Sequence, residues 1–74
     1  MAVTQYYVLR NGMAGWKIRF NNKDYPYETQ YAAMQAAISA AHSCGIKGHE
    51  AQVMVQGQNG AWHAEWTYGF DPLP

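Results

Sequence analysis

The chain has 74 residues, zero formal net charge, 14% charged, 49% hydrophobic and 15% aromatic residues, and one cysteine. That length holds one domain, close to the smallest that fold without metals or disulfides and bury roughly 60% of the unfolded surface, and the lone Cys44 excludes an internal disulfide scaffold. Zero net charge argues against strong phosphate affinity, and nothing approaches roughly 18 consecutive apolar residues or, over M-A-V-T-Q-Y-Y-V-L-R, a signal peptide, so the expectation is a cytoplasmic protein without a membrane partner.

Tyr6 to Arg10 is rich in aromatic and branched residues and predicts a first strand. The turn N-G-M-A-G follows, and then Trp16, Ile18 and Phe20 alternate with Lys17, Arg19 and Asn21, the period of a half-buried second strand. After N-N-K-D, residues Tyr25 to Glu28 read as a short third strand; Pro26 cannot donate a ladder hydrogen bond and belongs on a sheet edge. Thr29 stands as a helix N-cap, and alanine-rich sequence runs on to Cys44. Gly45 before Ile46 fits a Schellman-type stop.

Beyond a short loop, Ala51, Val53 and Val55 alternate with Gln52, Met54 and Gln56. G-Q-N-G then turns the chain, with Asn59-Gly60 suited to type I′ geometry. The last strand places Trp62, Ala64, Trp66 and Tyr68 on one side and His63, Glu65 and Thr67 on the other. The order strand, strand, strand, helix, strand, strand predicts an α+β domain, residues 1–74, with 69–74 an irregular tail. One helix packs on one face of a five-stranded antiparallel sheet. The order 3-2-1-5-4 keeps every neighbour antiparallel, and Trp62, Trp66, Trp16, Phe20 and Val53 form the expected core.

The charges are uneven. Arg10, Lys17, Arg19 and Lys23 precede every acid, while Asp24, Glu28, Glu50, Glu65 and Asp71 follow with Lys47 alone, so an interleaved sheet neutralises one half with the other.

No catalytic instrument is visible, and no enzyme activity or cofactor is expected. His42, Cys44, His49 and His63 are the soft metal ligands, but His42 and Cys44 point some 200° apart on a helix and lack zinc-site spacing. Cys44 lies near a helix C-terminus, where the dipole disfavours a thiolate, and reads as an inert thiol. The acids show no paired spacing, and phosphate-loop motifs are missing.

Two binding readings remain. Lys17 and Arg19, with Arg10 and a first-strand tyrosine, Tyr7, resemble the cationic stacking platform of a single-strand nucleic-acid binder, although Glu65 beside them opposes it. The helix offers the other. It carries no charge from Thr29 to Ile46. Tyr31, Met34, Ala37, Ile38, Ala41 and Cys44 trace one stripe for the sheet, and Ala33, Ala36 and Ala40 trace a second, which predicts close packing on another protein or a second copy. Abundant Trp and Tyr favour this protein-association reading.

The frame Y-Y-V-L, G-W-K-I, E-T-Q-Y-A-A-M-Q-A-A, V-Q-G-Q-N-G-A-W and T-Y-G-F-D-P-L-P resembles the small bacterial proteins of domain of unknown function family 2188. The resemblance implies a compact bacterial domain and no particular chemistry. This chain departs from the family pattern at Ala32, Gln35, Ala36, Ile38, Ser39 and Ala40, where relatives carry charged helix residues, and at Ala61 and Trp62 after the hairpin turn.

Overall fold

The computed structural model describes residues 3–73. Strands β1 (Thr4–Arg10), β2 (Trp16–Phe20) and β3 (Lys23–Tyr27) precede α1 (Gln30–Ile46), and β4 (Ala51–Gln56) and β5 (Trp62–Thr67) follow it. The helix packs with a five-stranded sheet, the α+β architecture that the alternation of patterns predicts.

The sheet order is β3-β2-β1-β4-β5, and β1 and β4 run parallel, Tyr6 facing Val53 and Val8 facing Val55. The all-antiparallel order 3-2-1-5-4 is therefore corrected to a mixed sheet. Burial decides the matter. On the helix side of β4, Ala51, Val53 and Val55 are all buried, whereas β5 carries His63 and Glu65 and is exposed along most of its length. The apolar strand takes the place under the helix, which rests mainly on β1 and β4, and the polar strand takes the edge.

Turn chemistry is only partly as the sequence suggests. Asn21 and Asn22 both have positive φ, 54° and 64°, so the type I′ pair lies between β2 and β3, and β3 begins at Lys23. At the β4–β5 turn Gly60 has a positive φ and Asn59 does not; Asn59 Oδ1 instead accepts the Ala61 N–H at 3.0 Å. Pro26 does lie in an edge strand.

The helix starts where expected, with Thr29 Oγ1 accepting the Ala32 N–H at 3.1 Å. It does not stop at Gly45. Gly45 is buried inside the helix, and the left-handed residue is Gly48, with φ +97°. The helix side packed on the sheet is a line of small residues spaced by four: Ala33, Ala37, Ala41 and Gly45. Opposite them the sheet supplies bulk, with Tyr6 stacked on Phe20 at 4.4 Å and Trp66, Tyr68, Trp16 and Tyr27 around them. Small helix residues admit large sheet residues at close approach, which is how a chain this short fills a core.

Candidate functional site

The alanine stripe is not an outer surface. Ala33 is 0% exposed between helix and sheet and presents nothing to a partner, and Ala36 and Ala40 are half-buried against the core, so the three do not stand together on the surface. What the helix turns to solvent is Tyr31, Ser39, Ser43 and Ile46, with Gln35 half-buried. Ala33, Ala37 and Ala41 are small where the aromatics lie beneath the helix.

Among the described residues no helix covers the other side of the sheet. On it Lys17 and Arg19 converge on Asp24, at 3.2 and 2.9 Å, and Arg19, then Lys17, hold the Asp24 carboxyl down at about 2 by hydrogen bonds. Next to them Tyr7 meets Trp62 edge to face, ring centroids 5.2 Å apart. Tyr7, Leu9, Arg19 and Trp62 enclose a shallow depression of ≈ 190 Å³. Along the same face a polar ladder joins three strands: Tyr7 Oη donates to Gln5 at 2.6 Å, Gln5 to Gln52 at 3.2 Å, and Gln52 to Thr67 at 3.4 Å.

Arg10, Trp62, His63 and Glu65 lie on other sides of the sheet than the sequence pattern predicts. Arg10 pairs across strands with Trp16 on the helix side, its guanidinium carbon 5.2 Å from the indole centroid, so the cationic set Arg10, Lys17, Arg19 and Tyr7 is not one surface. The register of β4 and β5 shifts between Val53 and Met54: Val53 faces Trp66, Met54 faces Ala64, and Glu65 is the extra residue. That bulge inverts the alternation. Trp66 stays in the core, only 4% exposed, while Trp62 leaves it for the outer face and is 41% exposed. His63, level with Val55, and Glu65 lie toward the helix, bonded to each other at 2.8 Å.

The remaining soft ligands are dispersed. His42 sits among aromatics, 5.7 Å from Tyr68 and 6.4 Å from Trp66, Cys44 is half-buried and His49 is exposed. Among the described residues no three His, Cys, Asp or Glu side chains gather as a metal site. Burial, and then the nearby Cys44, push the Tyr6 hydroxyl up.

The family model described as an uncharacterized protein conserved in bacteria, DUF2188, matches residues 6–68. The chain belongs to that family. Its matched span runs from the start of the buried part of β1 through Tyr68, so it takes in the helix, all five strands and the aromatic cluster. No curated protein and no solved structure matches this DUF2188 chain. No helix among its described residues is long and apolar enough to cross a membrane.

Proposed function

We propose that this DUF2188 domain is a non-catalytic binding module whose working surface is the sheet face opposite the helix, and that its simplest partner is a second copy of the chain. The observation that carries this reading is the Tyr7–Trp62 pair, a large aromatic surface on the side that the helix does not cover. Trp, Tyr, Met and Arg are the residue types enriched in protein interfaces, and Trp62, Tyr7, Met54 and Arg19 share this face. The face is also charge self-complementary, since Asp24 stands beside Lys17 and Arg19. Both edges resist strand addition, β3 through Pro26 and β5 through its bulge, so a face contact is favoured.

The area available limits the size of the contact. About a tenth of a small protein's surface enters a standard interface, and the whole surface here is 5105 Å². The contact is therefore small, and dissociation is expected in the range of about 10 μM to 1 mM. Light scattering over that range is expected to show mass rising toward twice the monomer, and Trp62→Glu to hold the chain monomeric while circular dichroism stays unchanged. A parent chain monomeric at about 1 mM overturns self-association.

A second reading, single-stranded nucleic acid on the same face, gains from the departure of Glu65 to the helix side. It loses more from Asp24, which engages both Lys17 and Arg19, and from the absence of Arg10 from that face. Micromolar binding to mixed-sequence strands that weakens steeply with salt and with Lys17→Glu would place it first.

A further inference from the structure

On the helix side, at the carboxyl ends of the parallel pair β1 and β4, an open groove of ≈ 650 Å³ lies beside the start of α1 and the β4–β5 turn. Its apolar lining is Val55, Met34 and the half-buried ring of Trp16. Arg10 lies over that ring and makes no ion pair with any acid of the described residues. A guanidinium drawn to an indole by its positive charge still has N–H groups to offer, the fork that grips a carboxylate in bidentate fashion.

The same groove also holds the His63–Glu65 pair. In the neutral imidazole, Nε2–H donates to Glu65 Oε1 at 2.8 Å, which leaves Nδ1 as an acceptor. The groove thus offers a cationic fork, an acceptor beside a carboxylate, and an apolar lining with an aromatic ring. Volumes of this order are those of small-ligand sites, and Gln30, Gln56 and Gln58 add further polar groups to this lining.

The geometry points to a binding site for a small planar aromatic carboxylate, its anionic group on Arg10, its ring against Trp16 and Met34, and a ring N–H directed to His63. Glu65 fixes the polarity, because it repels the anionic end and favours the donor end. The site lies across the sheet from the Tyr7–Trp62 face, so this inference and the self-association reading fail or survive separately.

Indole-3-carboxylate and its neutral isostere indole-3-carboxamide test it on the full chain by ¹⁵N–¹H correlation spectra. The three indole N–H groups report separately on the groove (Trp16), the outer face (Trp62) and the core (Trp66). The expected result is a saturable shift of the Trp16 indole, with Trp62 unmoved and the carboxamide at least about tenfold weaker. Arg10→Gln brings the carboxylate down to the affinity of the amide, while Arg19→Gln on the opposite face leaves it unchanged. An unshifted Trp16 at about 10 mM ligand, or equal affinity for the two compounds, overturns the site. Should Arg10→Gln not fold, the carboxylate-to-carboxamide comparison on the parent chain still decides.

Discussion

The ring of Tyr68 lies directly against the backbone of Gly45, so close that a β-carbon on the glycine would fall inside the ring's own contact surface. Gly45 is therefore a packing residue in the middle of a helix, where glycine is otherwise the weakest choice after proline. It lets the chain beyond β5 close against α1 and completes the four-residue line that begins at Ala33.

Gly45→Ala is expected to destabilise the fold by about 1–3 kcal/mol through overpacking, although alanine is the better helix former. In a Tyr68→Ala background the sign reverses, and the same substitution stabilises by up to about 1 kcal/mol. Urea unfolding of the four proteins measures both effects. Equal effects of Gly45→Ala in the two backgrounds would show that the ring does not press on the helix.

Trp66 and Trp62 separate by consequence. Trp66 is buried and donates its indole N–H to the Pro72 carbonyl at 2.9 Å, tying the tail to the core. Trp66→Ala is expected to cost about 3–5 kcal/mol, a large part of the stability of a small domain. Trp62→Ala loses an edge-to-face contact with Tyr7 at a half-exposed position and costs no more than about 1.5 kcal/mol. Denaturation midpoints give the ranking; equal losses would return Trp62 to the core.

Asp24 gives a pH dependence. Its carboxyl lies lowered from 3.8 to about 2, chiefly by the hydrogen bond from Arg19 and next by that from Lys17. A depressed folded-state value means that the stabilisation is present above the unfolded value and disappears as pH falls through about 2. The parent should therefore lose stability on acidification through this window more steeply than Asp24→Asn, and high salt should reduce the difference because the pair is exposed. A carboxyl-carbon titration of Asp24 by NMR checks it, and a midpoint at the ordinary 3.8 in low salt would mean that the cluster does not hold in solution.

The β2–β3 turn rests on two asparagines with left-handed backbone. Asn22→Ala is expected to cost about 1–2 kcal/mol, the strain of a β-carbon in that region, and Asn22→Gly to be neutral or mildly stabilising. Thermal melting of the two variants provides the comparison. An Asn22→Ala chain as stable as the parent would remove the type I′ turn.

The sequence by itself determined the succession of elements, the Thr29 cap, the inward side of β2 and the edge position of the strand holding Pro26. Those features are local: a period of two, a hydroxyl before a helix and a missing N–H act within a few residues, whatever lies across the fold. Tertiary structure decided the rest. One extra residue at Glu65 inverts the alternation of β5, and no period-two pattern reveals where the count breaks, so Trp62 and His63 exchange sides. The neighbour of β1 was settled by which of β4 and β5 could be buried beneath the helix, a comparison made over the whole sheet. Alanine reads alike in a helix whether it meets water, a partner or a sheet, and only the bulk of Tyr6, Trp66 and Tyr68 opposite shows that Ala33, Ala37 and Ala41 are small to make room for aromatics.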